Sequence, residues 1–380
     1  MSTHAKTLYI GMMSGTSLDG IDIALVTFKD KLSVLAQTFL PFSIELKQQI
    51  KLLTTPGENE VERIAETEYL LTQCYATAVK TLLEKNTISA KDVCAIGAHG
   101  QTIRHIPPSS NHQGYTLQLL NPSLLAALTG IDVVSNFRQK DIALGGQGAP
   151  LVPAFHQYIF TELDNNGIKT IEPQKPVAII NIGGISNISW LNTSSSQGYD
   201  LGPGNTLLDN WYQKHQQGSY DKEGNWGKSG TLNECLLKEL LQDKYFQLTP
   251  PKSTGPEYFN LKWLQACLRT NTDILPEDIQ ATLTELTALI ITNAVNSVSP
   301  QAEVYICGGG QHNKFLLNRI NTHLLHPLKL TQELGIDGDY MEAAAFAWLA
   351  MSRVRKHPVE LKQITGASKN AILGGLFLAG

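Results

Sequence analysis

The sequence alternates between short apolar runs and longer segments in which apolar residues recur every three or four positions. Short apolar runs bounded by turn residues predict strands, and the longer repeats predict helices that pack on a sheet. The predicted strands are 33–42, 93–98, 115–119, 131–135 and 303–307, with two strand–turn–strand hairpins at 8–28 and 177–191. The predicted helices are 48–53, 58–85, 122–129, 206–214, 232–241, 261–268, 277–297, 313–323 and 339–356. This mixture predicts an α/β protein.

The turn of the first hairpin carries more polar chemistry than a simple reversal of the chain needs. Its glycines allow backbone N–H groups to approach an anion, and its hydroxyl side chains add further donors. Asp19 and Asp22 would bring a hard cation, most simply Mg²⁺, next to that anion. The candidate phosphate-binding residues are Gly15, Thr16, Ser17, Leu18, Asp19, Gly20 and Asp22. An ordinary glycine turn with two solvated aspartates remains the alternative.

The second hairpin repeats this design about 170 residues later, with Gly183 and Gly184 in its turn. Two such hairpins indicate duplicated halves that could hold the phosphates of a nucleotide from opposite sides. Asp200 follows at a predicted strand-to-helix junction, close to Gly202 and Gly204. That position is typical of a catalytic carboxylate, although an aspartate that only holds the turn is also compatible with it.

Four further candidates lie at the ends of predicted elements. His99 follows the strand at 93–98, where α/β sheets tend to face their ligands, although a buried structural histidine fits equally. Arg138 follows another strand and could donate two parallel hydrogen bonds to a carboxylate or phosphate, with a surface salt bridge as the alternative. Gly308, Gly309 and Gly310 would let adenine lie against bare backbone. Glu342 lies in the first turn of the last helix, where the helix dipole tolerates an anion.

Composition excludes several classes of protein. A chain of 380 residues, 42% apolar and 17% charged, is long enough for two globular domains, and its net charge of −4 provides no basic surface for nucleic acid or an anionic membrane. The five scattered cysteines predict reduced thiols. No signal peptide begins the chain and no apolar run approaches the roughly 20 residues of a membrane span, so we expect a cytoplasmic protein.

Taken together, these motifs resemble the anhydro-N-acetylmuramic acid kinase family of the actin-like ATPase and sugar-kinase superfamily. The matching motifs are GMMSGTSLDGID at 11–22, HGQT at 99–102, FR at 137–138, GGQGAPLVP at 145–153, NIGGISN at 181–187, DLGPGN at 200–205, CGGG at 307–310 and EAAAFA at 342–347. They span nearly the whole chain in the family's order. Leu201 departs mildly from the small residue expected at its position, which leaves the neighbouring carboxylate untouched.

The resemblance implies two actin-like, ribonuclease H-like lobes with an active-site cleft between them. We expect the first lobe to cover 1–135 together with 339–380, and the second lobe to cover 136–338. The implied reaction uses ATP, Mg²⁺ and water to convert 1,6-anhydro-N-acetylmuramic acid into N-acetylmuramic acid 6-phosphate during recycling of cell-wall peptidoglycan. The implied partners are therefore ATP and a small amino sugar, and a homodimer is compatible with such kinases.

Opening of the anhydro bridge needs a base near C1 and a phosphate clamp near O6. Asp200 would be that base, while the two hairpin turns would hold the phosphates with Gly202, Gly204 and the glycines at 308–310. Arg138 would pair with the lactyl carboxylate, and Glu342 and His99 would contact the sugar. Two alternatives remain open, namely an amino-sugar or hexose kinase without hydrolysis and an actin-like ATP-binding switch. A metal-dependent peptidase is disfavoured because no His-x-x-x-His pattern joins the histidines.

Overall fold

The structure is a computed structural model that describes residues 7–15, 17–29, 32–109, 112–165, 175–191, 196–250, 252–269 and 273–380. The strands are β1 (Leu8–Ser14), β2 (Gly20–Thr27), β3 (Ser33–Pro41), β4 (Val93–Ile106), β5 (Tyr115–Leu119), β6 (Val133–Ser135), β7 (Val177–Ile182), β8 (Ile185–Leu191), β9 (Ser196–Pro203), β10 (Glu303–Cys307), β11 (Lys329–Leu330) and β12 (Gly375–Phe377). The helices are α1 (Ile44–Leu53), α2 (Glu60–Lys85), α3 (Pro122–Thr129), α4 (Phe137–Ala143), α5 (Val152–Asn165), α6 (Asn205–His215), α7 (Asn225–Ser229), α8 (Glu234–Leu240), α9 (Leu261–Leu268), α10 (Pro276–Val298), α11 (Lys314–His323) and α12 (Met341–Val354). These elements confirm the α/β class.

The chain forms two compact units. Unit 1 contains Met1–Ile168 and Tyr340–Gly380, and unit 2 contains Lys169–Asp339. No helix in the described ranges is both long enough and apolar enough to cross a membrane.

Unit 1 is built on a sheet in the order β12-β6-β4-β1-β2-β3, with β5 paired to β4 at one side. The first three strands form an antiparallel meander, and β4 and β6 run parallel to β1. The interiors of β1 and β4 are buried along most of their length because helices cover the sheet. The turn of the first hairpin therefore lies at the end of a rigid, buried strand.

Unit 2 repeats this plan in a five-stranded sheet with the order β11-β10-β7-β8-β9. Strands β7, β8 and β9 form the antiparallel meander, and β10 runs parallel to β7. Helix α10 is buried along most of its length against the core of this unit. Each unit thus begins its sheet with a hairpin and a third antiparallel strand, as expected of duplicated halves.

The boundary between the units differs from the one that we expected at residue 135. The segment 136–168 belongs to unit 1, and side chains in its described part contact the C-terminal part of the chain. Asp141 accepts a 2.6 Å hydrogen bond from the Thr365 hydroxyl, and the Phe155 ring lies 5.8 Å from that of Trp348. Neither contact can be read from local sequence, because each joins residues far apart in the chain.

Helix α12 lies directly on the sheet of unit 1 because two strand positions have no side chain. A methyl group at Gly97 would overlap the carbonyl oxygen of Phe346, and one at Gly11 would overlap that of Ala343. The run of alanines in α12 keeps the helix surface that faces the sheet free of bulky side chains as well. Close approach of helix and sheet explains why small residues occur on both sides of this contact.

We predict that Gly97→Ala destabilises unit 1 by about 3 kcal/mol, because relief of a backbone overlap requires the helix to move away from the sheet. Scanning calorimetry would record a lower melting temperature for the transition of unit 1. Gly335→Asn is the matched control, since its position has φ of 81° but no atom within 4 Å of an added Cβ, and asparagine tolerates that conformation. Equal melting temperatures for Gly97→Ala and the unmodified chain would contradict this packing.

Candidate active site

The turn between β1 and β2 exposes backbone in unit 1. An added Cβ at Gly15 would meet only the Ser17 hydroxyl, at 3.9 Å, so the space beside this glycine is open. Leu18 has φ of 57° and donates its N–H to the Gly15 carbonyl at 3.3 Å, which closes the turn. The Gln101 side chain donates a 3.2 Å hydrogen bond to that same carbonyl. Thr16, a predicted phosphate-binding residue, lies outside the described residues.

The two aspartates of this hairpin occupy different environments. Asp19 is exposed and its carboxylate lies 3.9 Å from the Lys47 ammonium. Asp22 is half-buried on β2. The pKa of the Tyr75 phenol is raised mainly by the burial of Tyr75 itself, and the Asp22 charge raises it further. The described residues hold no group of three or more metal-ligating side chains. This donor set fits Mg²⁺, which proteins commonly hold through one or two carboxylates, water and substrate phosphates.

The side chains of His99 and Arg138 are hydrogen-bonded to each other. The His99 side chain is 3% exposed; its Nδ1 lies 2.8 Å from the Gly100 carbonyl, and its Nε2 lies 2.8 Å from Arg138 Nε. Because Arg138 donates to Nε2, Nδ1 carries the proton and donates to the carbonyl. Burial, together with the Arg138 charge, holds the pKa of His99 well below its usual range. We expected His99 to contact substrate, and in the structure both of its ring nitrogens are engaged by protein groups.

The residues from Val93 to Ile106 form one long strand, not the short strand expected at 93–98, because β5 pairs with its second half. His99 therefore lies inside β4. Arg138 also lies in a short helix, α4, where a strand end was expected. Its Nη1 donates a 2.8 Å hydrogen bond to the Gly148 carbonyl, which ties it to the glycine cluster of the GGQGAPLVP motif at 145–153.

A buried carboxylate and the C-terminal segment brace this glycine cluster. Asp141 is fully buried, and one of its oxygens accepts the Gly148 N–H at 2.6 Å. Its other oxygen accepts the Thr365 hydroxyl, and the Gln147 N–H donates to the Thr365 carbonyl at 2.8 Å. The C-terminal stretch 364–380 thus supports, through Thr365, the loop that holds Arg138.

Two buried histidines, His99 and His156, and the half-buried His105 make unit 1 sensitive to acid. Burial lowers the pKa of His105 to about 4 and that of His156 to about 3, and His99 is lowered as well. A histidine with a depressed pKa in the folded state stabilises the fold fully above the unfolded pKa of about 6.5, and this stabilisation is lost as the pH falls.

We predict that His156→Gln reduces the loss of stability between pH 7 and pH 5 by about 2 kcal/mol, because an unfolded histidine takes up its proton in that range. Denaturant unfolding of both proteins at the two pH values would measure the difference. His326→Gln, which replaces an exposed histidine, is expected to leave the pH dependence unchanged. The same pH dependence in His156→Gln as in the unmodified chain would show that His156 is not buried in its neutral form.

Glu342 lies in the first turn of α12, as its position in the sequence predicted, and it is half-buried. The same helix supports the His99–Arg138 pair, because the Phe346 ring lies 4.8 Å from the His99 ring and 5.4 Å from that of Phe137. Helix α12 therefore carries Glu342 and also packs against the residues beside Arg138.

In unit 2, the turn between β7 and β8 is bound to the start of α6. The Gly204 N–H donates to the Gly184 carbonyl at 2.9 Å, and the Asn205 N–H donates to the Gly183 carbonyl at 2.8 Å. A side chain at Gly204 would overlap the Gly183 carbonyl, so this approach requires glycine. An added Cβ at Gly183 itself would meet only the Ile185 carbonyl, at an ordinary 3.5 Å.

The predicted glycines separate into two groups. At Gly15, Gly183 and Gly309 an added Cβ would meet no atom closer than 3.5 Å, so their backbone is accessible to a ligand. Glycines that instead pack against neighbouring residues are Gly20, Gly202, Gly204, Gly308 and Gly310. At Gly309, an added Cβ would lie 3.8 Å from the side-chain amide nitrogen of Asn205. That nitrogen donates a hydrogen bond to the Ile182 carbonyl. The structure thus brings the 183–184 turn, the start of α6 and the 308–310 segment together within unit 2.

Asp200 lies within β9, three positions before the strand end and opposite Asn187 of β8. Between this pair and the next, Leu201 is an extra residue on β9, and its side chain is 3% exposed in the core. Such bulges redirect side chains and are common beside active sites. The Asp200 carboxylate is half-buried and accepts the Thr254 N–H at 3.1 Å.

Two buried polar atoms on β8, the strand paired with β9, have no hydrogen-bond partner among the described residues. They are the Asn187 side-chain oxygen and the buried Ser186 hydroxyl. Both residues belong to the NIGGISN motif, although only its glycines were singled out from the sequence. Buried polar atoms are normally satisfied, so these two atoms indicate a place for water or a ligand.

A second set of residues was missed altogether. Tyr245, Lys252 and Thr254 surround Asp200, but they follow it by 45 residues or more in the chain. The available signal was the small polar run 252–255 directly after two prolines, which is unusual between predicted helices. Its distance from the other motifs concealed its connection with Asp200.

Known proteins match this chain over nearly its whole length. The family model of anhydro-N-acetylmuramic acid kinase matches residues 7–379. A protein of that name from Saccharophagus degradans is 46% identical over 376 residues, covering 98% of this chain and 99% of its own. One from Nitrosomonas europaea is 46% identical over 375 residues, with the same coverage, and one from Coxiella burnetii is 44% identical over 378 residues, covering 98% of each chain.

Solved structures also align with this chain at low sequence identity. The activator of the 2-hydroxyisocaproyl-CoA dehydratase from Clostridium difficile has a TM-score of 0.43 at 11% identity, covering 92% of this chain and 96% of its own. A ROK family glucokinase from Streptomyces griseus has a TM-score of 0.39 at 11% identity, covering 90% of this chain and 98% of its own. The full-length match to the family model and to relatives above 40% identity decides the matter: the chain belongs to the anhydro-N-acetylmuramic acid kinase family.

Proposed function

We propose that this chain is an ATP-dependent kinase that opens the 1,6-anhydro ring of 1,6-anhydro-N-acetylmuramic acid with water and phosphorylates O6. Membership of the family supports the phosphorylation and its substrate. The observation that carries the coupled hydrolysis is the environment of Asp200, a half-buried carboxylate beside the Asn187 oxygen, which has no donor among the described residues. A reacting water needs acceptors of this kind.

In the proposed reaction, the water oxygen forms a bond to C1 and one proton of that water moves to Asp200. The bond between C1 and the bridging oxygen O6 breaks, and O6 forms a bond to the γ-phosphorus of ATP. The bond from that phosphorus to ADP breaks, so the products are N-acetylmuramic acid 6-phosphate and ADP. The Asn187 side-chain oxygen would accept a hydrogen bond from the second O–H of the water, which orients the lone pair of the water toward C1.

The accessible glycines would bind the phosphates. Backbone N–H groups at Gly15 and Gly183 would donate to phosphate oxygens, and the open backbone at Gly309 would lie against the adenosine. Phosphoryl transfer depends mainly on positioning and charge neutralisation, which such groups supply. Asp19 and Asp22 would hold Mg²⁺, directly or through water, and the ion would neutralise charge on the phosphates. The glycines that pack against neighbours would shape these turns without touching the ligand.

Arg138 would bind the lactyl carboxylate that distinguishes muramic acid from other amino sugars. The buried His99 fixes the guanidinium through Nε, and the Gly148 carbonyl fixes it through Nη1. A guanidinium held in this way loses little side-chain freedom when it binds a carboxylate. Glu342, half-buried at the start of α12, would accept hydrogen bonds from the sugar. The product would feed recycling of cell-wall peptidoglycan in the cytoplasm.

The test is product analysis with purified protein, ATP and Mg²⁺. We expect the anhydro sugar to give a 6-phosphosugar and one ADP for each sugar consumed. Open N-acetylmuramic acid, which needs no ring opening, is the comparison substrate. Preferential phosphorylation of the open sugar would instead indicate an amino-sugar kinase without hydrolysis, and ADP formation independent of any sugar would indicate an ATP-binding switch.

A further inference from the structure

A segment of unit 2 remote in sequence surrounds Asp200. The Thr254 N–H donates a hydrogen bond to the Asp200 carboxylate. The Asp200 N–H in turn donates to the Lys252 carbonyl at 3.1 Å. The Tyr245 hydroxyl donates to the Asp200 carbonyl at 2.8 Å. Backbone and side chain of Asp200 are therefore both held by residues 245–254.

The same segment fixes the Lys252 ammonium on Tyr245, and the Lys252 carbonyl is itself bound to the Asp200 N–H. Lys252 Nζ donates to the Tyr245 carbonyl at 3.2 Å and lies 4.7 Å from the centre of the Tyr245 ring. Cations in this position over an aromatic ring are attracted by its electrons. Lys252 is half-buried, and burial lowers its pKa whereas the Asp200 carboxylate raises it. Attraction between two charges is mutual, so the ammonium also favours the ionised form of the carboxylate.

The tyrosines and the asparagine beside Asp200 do not supply a charge. The phenols of Tyr199 and Tyr245 have raised pKa values, chiefly because they are buried, so they are neutral at physiological pH. Asn187, on the adjacent strand, has no charge to contribute. Among these neighbours, Lys252 is the one that bears a positive charge.

We propose that Lys252 is a positioning residue that keeps Asp200 ionised, and therefore active as a base, through an ammonium fixed on Tyr245. This inference deepens the proposed function and rests on it. Lys252 itself does not touch the reacting atoms; it acts through the carboxylate. Tyr245 provides the support that keeps the ammonium at a constant distance, which a flexible surface lysine would not maintain.

The test is the pH profile of kcat/KM, whose acid limb reports the essential base of the free enzyme. In Lys252→Gln, which keeps an N–H donor for the Tyr245 carbonyl but removes the charge, we expect the acid limb to move up by about one pH unit. At pH values below the limb, this shift is about a tenfold loss of kcat/KM relative to the unmodified chain. Lys252→Arg keeps the charge and is expected to restore the original limb.

Lys329→Gln is the matched control, because Lys329 also lies over a tyrosine ring, 5.4 Å from the centre of Tyr305, but pairs with Glu303 and not with Asp200. We expect its acid limb to coincide with that of the unmodified chain. If Lys252→Gln folds poorly, Lys252→Met provides the same loss of charge with an apolar stem. A lower plateau without movement of the limb in the folded variant would overturn the inference, whereas no turnover by the unmodified chain would instead overturn the proposed function.

Discussion

Asp200→Asn is expected to reduce kcat for the anhydro sugar by about 10²–10⁴-fold, the usual contribution of a general base. The amide keeps the shape of the side chain and can still accept the Thr254 N–H, but it cannot take the proton of the attacking water. Steady-state assay of ADP release measures the loss. The affinity for ATP, measured by calorimetric titration, is expected to stay the same, because the phosphate-binding turns are unchanged.

Asp273→Asn provides the control for this variant, since Asp273 is an exposed carboxylate of the same unit. It is expected to keep the kcat of the unmodified chain. The assignment of Asp200 as the base would be wrong if Asp200→Asn, with an unchanged melting temperature, retained more than about a tenth of the original kcat.

Arg138→Met is expected to raise KM for the muramic substrate by about 10–100-fold. Hydrogen bonds to a charged partner contribute about 1.5–3 kcal/mol, and 1.4 kcal/mol corresponds to a factor of ten. The effect is expected to be specific for the carboxylate, so the corresponding anhydro-N-acetylglucosamine, which lacks the lactyl group, should show the same KM with both proteins. Initial rates over a range of concentrations of the two sugars measure this difference.

Arg63→Met is the matched control for the removal of a guanidinium, because Arg63 is bound to backbone carbonyls near the surface of unit 1. It is expected to change neither KM. An equal increase of KM for both sugars in Arg138→Met would show that the arginine supports the fold of the site and does not recognise the carboxylate.

Local sequence predicted several of the elements that carry the candidate site, including both hairpins and α12, but not helix α4, which carries Arg138. The strands of both hairpins follow from apolar runs, and several helix starts follow from side chains that cap them. The Asn121 oxygen accepts the Leu124 N–H at 2.9 Å, and the Asn313 oxygen accepts the Leu316 N–H at the same distance. These signals act over three or four residues, which is why a pattern in the sequence captures them.

Contacts between distant residues were beyond such reasoning. The pair Asp141 and Thr365 is separated by 224 positions, and it moves the segment 136–168 into unit 1. The part of the candidate site around Asp200 depends in the same way on Thr254 and Lys252. Pairing of β4 with β5 likewise placed His99 inside a strand. Tertiary contacts of this kind leave no periodic signal in the residues that make them.

The glycines illustrate a finer limit of sequence reasoning. A glycine that opens its backbone to a ligand and one that lets two backbones pack look identical in a sequence. Gly183 belongs to the first kind and Gly204 to the second, although both lie in the same small part of unit 2. Only the neighbours of each position distinguish the two.

The most direct test of the coupled reaction uses ¹⁸O-labelled water. The protein would be incubated with ATP, Mg²⁺ and 1,6-anhydro-N-acetylmuramic acid, and the phosphosugar would be examined by mass spectrometry at early times, before the anomeric hydroxyl exchanges with solvent. Attack of water at C1 predicts one ¹⁸O atom at C1 and none in the phosphate group. A phosphosugar without ¹⁸O at C1 at those times, or with ¹⁸O in its phosphate, would contradict the proposed mechanism.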